Sequence, residues 1–268
     1  MGRVVAIVNQ KGGVGKSTTA VNLSAYIAVA GRRVLLVDVD PQGNATTGVG
    51  IAKRELDGCM YHVLLNERTL RSVIRPTEVP GLDVAPATID LAGAEVELVG
   101  ALSREFRLRR ALAPVQGEYD YIFIDSPPSL GLLTLNGLAA ADAALVPIQC
   151  EFYALEGLSQ LMRTIEMVRE HLNPALVVAG VVMTMYDSRT NLSEQVVADV
   201  RSFFANRVRV YETIIPRNVR LTEAPSHGKP IVLYDDQCKG AHAYRQLAAE
   251  VMQDESPGVG QGSSGAHP

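Results

Sequence analysis

Residues Lys11 to Thr18 read Lys-Gly-Gly-Val-Gly-Lys-Ser-Thr, between an apolar run, Val4 to Val8, and a segment carrying Ala20, Leu23 and Ile27 on one helical face. A strand, a glycine-rich loop, a Lys-Ser pair and a helix in this order make the context of a phosphate-binding P-loop. Gly12, Gly13 and Gly15 let the backbone around Val14 curl so that successive N–H groups point at an anion. The helix N-terminus adds its partial positive charge. In such a loop Lys16 is expected to reach the β- and γ-phosphate oxygens and Ser17 to ligate Mg²⁺. Thr18 is placed to hydrogen-bond the α-phosphate. The usual pattern has a glycine where Gln10 stands, and this loop carries an additional lysine, Lys11. A dinucleotide fingerprint fits poorly, because Lys16 sits where the backbone should approach a pyrophosphate.

Two further segments place carboxylates at strand ends. Tyr121 to Ile124 is an apolar run that ends in Asp125, where a P-loop fold holds Mg²⁺ through a water. Ser126-Pro127-Pro128 then fixes the backbone beside the terminal phosphate. Asp38 and Asp40 close the run Val34 to Val39 and point to the same side of an extended chain. Paired carboxylates at a sheet edge are costly unless they meet a cation or move a proton. Asp40 is read as the group that orients the attacking water, and Asp38 as orienting a cation or a neighbouring loop, against the plainer reading of a solvated turn.

The remaining apolar runs, Ala144 to Ile148, Leu176 to Met185 and Val208 to Ile215, are continuous rather than alternating, as in strands covered on both faces. Helical stripes lie between them: Leu155, Leu158, Met162, Ile165 and Val168, then Val196, Val197, Val200 and Phe203. This alternation predicts an α/β fold, doubly wound, with a mainly parallel sheet and helices on both faces. Residues 1–253 read as a single domain, with residues 41–80 forming a mobile lobe beside the site. Residues 254–268, rich in Gly, Ser and Pro, read as a disordered tail.

A net charge of −4 argues against constitutive nucleic-acid coating, yet residues 200–245 carry eight Arg/Lys against four Asp/Glu. That asymmetry hints at an anionic partner. Cys59, Cys150 and Cys238 lack metal or redox spacing and read as reduced thiols of a cytoplasmic protein. Apolar runs are too short for a membrane span, and the start leaves no room for a secretory signal.

Together the Lys11–Thr18 loop, the segment from Asp38 to Gly48, Phe123 to Gly131 and Thr213 to Pro230 resemble the ParA/Soj partitioning ATPases. These belong to the deviant Walker A class of P-loop NTPases that includes MinD. The resemblance runs from about Val4 to Met252, and the last of the four stretches is the more ParA-specific. It implies ATP and Mg²⁺ as ligands, a homodimer formed around ATP, nonspecific DNA binding on the nucleoid, and hydrolysis stimulated by a ParB-type partner. Lys11 matches the lysine that crosses to the partner's phosphates, Asp40 the catalytic aspartate, and Asp125 the magnesium-side one. Pro216 and Asn218 match the segment lining the adenine. Arg217 and Arg220 beside that turn, and Arg189 before a helix, are candidates for DNA contact, with an ordinary surface charge the alternative for each. The residues after Met252 lack the basic amphipathic helix of a membrane-bound MinD-like protein. A ParA relative that positions a protein cargo is the competing function.

Overall fold

The computed structural model describes residues 2–151, 154–205 and 207–254, without the side chains of 154–156. Eight strands form one sheet: β1 (Arg3–Ile7), β2 (Val34–Asp38), β3 (Arg75–Pro76), β4 (Leu82–Ala85), β5 (Tyr121–Asp125), β6 (Ala143–Gln149), β7 (Val177–Tyr186) and β8 (Val210–Pro216). Their order across the sheet is β3-β4-β2-β5-β1-β6-β7-β8. Every neighbouring pair is parallel except β3 with β4. Parallel neighbours need long crossovers, and these are the helices.

The helices are α1 (Lys16–Val29), α2 (Asn44–Gly48), α3 (Met60–Leu64), α4 (Leu70–Val73), α5 (Leu91–Glu97) and α6 (Arg107–Leu112), followed by α7 (Leu132–Ala140), α8 (Ala154–His171), α9 (Asn191–Phe204), α10 (Val219–Glu223), α11 (Ile231–Tyr234) and α12 (Lys239–Gln253). Because side chains alternate along a strand, Val5 and Ile7 of β1 enter one core with Leu23 and Ile27 of α1 and Leu247 of α12. Val4, Ala6 and Val8 enter the other, with Leu64, Leu133 and Ile165. Two-sided covering explains why the central strands read as unbroken apolar runs. Burial of each such side chain contributes about 1.5–3 kcal/mol.

Three expectations need correction. Residues 41–80 are not a separate lobe: Gln42, Asn44, Thr47 and Gly48 line the cavity described below, but Met60, Val63, Leu64, Leu70 and Val73 are buried in the core. Short helices broken by turns hid that apolar face from a periodicity reading. Of α9's two adjacent aromatics, Phe204 is the buried one and Phe203 is exposed. Strand β8 alternates buried and exposed residues, because it is the sheet edge. The Leu155 side chain and the tail from 255 onward lie outside the described residues.

The order places the site. Strands β5, β1 and β2 lie at the centre, and Ile7, Asp125 and Asp38 are in register at their carboxyl ends. From β1 the chain winds toward β2 on one side and toward β6 on the other. Such a switch point opens a crevice at the carboxyl edge of the sheet.

Candidate functional site

The Lys11–Thr18 loop leaves β1 and enters α1 through two left-handed glycines, Gly13 at φ 75° and Gly15 at φ 89°. An L side chain at either position would be strained. The loop is braced from outside. Thr184 Oγ1 donates to the Val14 carbonyl at 2.8 Å. Asn9 ties the loop to β6, its Nδ2 donating to the Pro147 carbonyl at 2.7 Å. The Asn9 Oδ1 accepts the Lys11 N–H at 3.0 Å. Polar positions of α1 anchor the helix: Thr19 Oγ1 bonds the Tyr244 hydroxyl, and Asn22 Oδ1 accepts the Ile231 N–H.

A cavity of about 390 Å³ opens over the loop, lined by Gly12, Gly13, Gly15, Lys16, Ser17, Thr18 and Asp40 among others. A second, of about 350 Å³, is lined by Ile215, Pro216, Arg217, Asn218, Leu221 and Tyr244. The two share Gly15, Thr18 and Met185, so they form one elongated site with a polar end and an apolar end. Pro216 and Asn218, the expected adenine segment, line the apolar end. Asn218 also has a structural task, since its Oδ1 caps α10 by accepting from Arg220 N and Leu221 N.

Three carboxylates and one amine define the electrostatics. Lys16 is 6% exposed and its Nζ donates to the Lys11 carbonyl at 3.0 Å. Burial lowers its pKa, while Asp125 and Asp40 pull it back up. Asp125 is fully buried, and neither carboxylate oxygen has a hydrogen-bond partner of ordinary geometry. Burial and then the nearby Asp38 push its pKa well above the carboxylate range, although the Ser17 hydroxyl and Lys16 favour ionisation. An orphaned carboxylate in the interior is expensive, and a cation is what satisfies it. Ser17 and Asp125 together are thus a fitting pair for a divalent ion. Asp40 is 5% exposed, lines the polar cavity and accepts the Gln42 N–H at 2.9 Å.

Asp38 is bonded to the chain that follows its own strand. Its Oδ2 accepts both the N–H and the hydroxyl of Thr46, at 2.8 and 2.7 Å, and its Oδ1 accepts Asp40 N–H at 3.1 Å. The Thr46 hydroxyl in turn accepts from Ala87 N–H at 2.9 Å. Burial raises Asp38 to about 6, against the opposing pull of the Thr46 bonds.

Comparison with known proteins agrees with this geometry. The family model described as AAA domain matches residues 2–178. The sporulation initiation inhibitor protein Soj of Bacillus subtilis is 59% identical, over 94% of this chain and 98% of its own length. The chromosome partitioning protein ParA of Myxococcus xanthus is 58% identical, over 96% of this chain and 90% of its own. The chain belongs to the ParA/Soj family of chromosome-partitioning ATPases. Among solved structures, a protein called cobyrinic acid a,c-diamide synthase from Mycobacterium smegmatis, with bound ADP and magnesium, superposes with a TM-score of 0.83. It is 42% identical, with 94% of this chain and 95% of that one covered. The cell-division ATPase MinD of Pyrococcus furiosus superposes at 0.79, with 26% identity over 94% of this chain and 99% of its own.

The other candidate residues of this ParA/Soj chain sit outside the cavity floor. Lys11 is half-exposed and paired with Glu151 at 2.8 Å. Arg189 is held by Asp187 at 2.7 Å, and Arg220 by Glu223 and Asp235 at 3.0 and 3.4 Å. The Arg217 backbone N–H donates to the Tyr186 carbonyl at 2.9 Å, at the rim of the apolar cavity. Sequence reasoning missed Asn9, Thr46, Thr184 and Met185. Met185 is notable because it holds a left-handed φ of 53°, which a bulky side chain rarely adopts. Asn9 and Thr184 act through Pro147 and Val14, partners distant in sequence, and Thr46 also accepts from Ala87 N–H.

Proposed function

We propose that this chain binds ATP with Mg²⁺ across the two joined cavities, pairs with a second copy in that state, and so gains nonspecific affinity for DNA. Hydrolysis, slow alone and stimulated by a ParB-type partner, returns the monomer and releases the DNA. The observation that carries the reading is the buried Asp125 carboxylate, unpartnered beside Lys16 and Ser17 at the mouth of a P-loop. The Gly12–Thr18 backbone and Lys16 hold the phosphates, Thr18 sits at the α-phosphate, and Pro216 with Asn218 lines the base. Magnesium, when held by Ser17 and Asp125, neutralises charge on the phosphoryl oxygens. Asp40 stands at the cavity edge and orients the attacking water. Lys11 leaves Glu151 and reaches the partner's phosphates, a cation supplied in trans.

On a single subunit of net charge −4, Arg189 and Arg220 are each tied up in ion pairs. Pairing two copies sets these arginines side by side, where phosphates compete for them. DNA binding measured without nucleotide and with ADP, ATP and a slowly hydrolysed analogue tests the reading. Binding appears only with ATP or the analogue, shows no sequence preference and weakens steeply with salt. Tight binding by the nucleotide-free chain would refute the switch.

A further inference from the structure

Helix α5 and the turns around it are apolar on two opposite faces. Leu91, Ala94 and Leu98 are buried in the core. On the other side Ile89 is 65% exposed, Val96 75% and Val99 62%, with Ala92 exposed between them. The spacing from 89 to 92, 96 and 99 is that of one helical stripe, and N–H bonds from Ala92 to Ile89 and from Gly93 to Asp90 carry the helical geometry back to residue 89. Leu102, at 89% exposed, lies just past the helical end at Ala101. Single exposed aliphatic residues are ordinary. A row in register on an already packed helix is a face that lacks its cover.

Charge indicates what covers it. Glu67, Asp90, Glu95 and Glu97 border the stripe, and none forms an ion pair among the described residues. Three of them crowd one hydroxyl: Tyr61 donates to Glu97 at 2.9 Å, and Glu97, Glu67 and Asp90 together raise its pKa. Arg104, which donates to the Val99 carbonyl of this stretch, is taken up by Glu105. Nucleic acid is repelled by such a rim, and a twofold contact with a second copy would set acid against acid.

We infer that the outward face of residues 89–102 is a docking surface for a basic amphipathic helix of a partner protein, apolar on one side and Lys/Arg-bearing on its flanks. The helix is tied to α7. Glu95 Oε1 accepts the Leu133 N–H at 3.5 Å at the start of α7, which follows the loop leaving Asp125. The inference does not rest on the proposed ATP cycle, since a chain inert toward ATP would present the same face.

The test uses the full chain with ATP and Mg²⁺ and a labelled synthetic helix of about eighteen residues, leucine on one face and lysine on the other. A leucine/glutamate version is the control. Fluorescence anisotropy reads affinity, hydrogen exchange locates the contact, and sedimentation of the chain alone reports self-association. The lysine peptide binds and protects residues 89–102, the glutamate peptide does not, and V96S/V99S weakens binding about tenfold or more. That variant keeps the parent's ATP affinity and melting temperature, since both valines are exposed. Equal binding by V96S/V99S, or absence of binding to the parent, overturns the inference. Self-association of the parent that V96S/V99S abolishes also overturns it, by making a second copy the occupant.

Discussion

Replacing Asp125 with asparagine separates the cost of the site from its use. Asp125 is fully buried, without a hydrogen-bond partner of ordinary geometry, and raised well above its ordinary pKa, chiefly by burial. Holding a carboxyl group in the interior without a compensating partner costs roughly 3–5 kcal/mol. The asparagine amide removes that charge but leaves its own buried groups unpaired, which returns roughly 1–3 kcal/mol. The net gain in the metal-free protein is about 2 kcal/mol, or roughly 4–8 °C in Tm for a chain of this size class. With nucleotide the order changes. Ligand at a hundred times its Kd stabilises the parent by about 2.7 kcal/mol, and the part of this that depends on Mg²⁺ is lost in D125N. Differential scanning fluorimetry with EDTA, with ATP and EDTA, and with ATP and Mg²⁺ reads both effects. A D125N chain that melts below the parent in EDTA, yet keeps the parent's Mg²⁺ increment, would refute the reasoning.

Other expectations follow from the same geometry. K16A loses roughly a hundredfold or more of ATP affinity in isothermal titration, since charge-assisted contacts are worth about 1.5–3 kcal/mol each; affinity near the parent's removes Lys16 from the phosphate site. Asp38, at about 6 in the folded chain, holds a proton that the unfolded chain has released between about pH 4 and 6. Its contribution to stability therefore falls as pH rises through that window. Urea unfolding should show the parent losing about 2 kcal/mol relative to D38N between pH 4.5 and 7, and a difference independent of pH contradicts the burial argument. R189E or R220E removes ATP-dependent DNA binding while ATP affinity holds, and each lost phosphate contact lowers the salt slope by about 0.9. Undiminished binding by both variants places the DNA surface elsewhere.

What the sequence made legible was whatever rests on neighbours in the chain. The loop from Lys11 to Thr18 announces its conformation through glycines and its ligand through Lys16 and Ser17. The strand ending in Asp125 does the same through an apolar run closed by a charge. Contacts made between distant segments stayed hidden. Thr184 bracing Val14 and Thr46 accepting from Ala87 N–H join elements that the fold, not the chain order, brings together. The packing of residues 60–73 was missed for a different reason, because helices of five and four residues are too short to show a helical period. Asp38 shows the middle case: its placement at a strand end was readable, but its bonds to Thr46 were not.

The central claim is that Lys11 acts across the interface on the partner's nucleotide, and mixed subunits test it most directly. K11A and D40A are each assayed alone for ATP hydrolysis, then mixed in equal amounts. Alone, K11A lacks the cation at both sites of any pair, and D40A lacks the water-orienting carboxylate at both. In a mixed pair, the site on the K11A subunit keeps its own Asp40 and receives Lys11 from D40A, so one site in two is complete. The account predicts near-background hydrolysis for each variant, with loss of roughly a thousandfold as for a cation supplied in trans, and recovery to about a quarter of the parent rate on mixing. A mixture no more active than its components, with mixed pairs shown to form, would mean that Lys11 serves its own subunit.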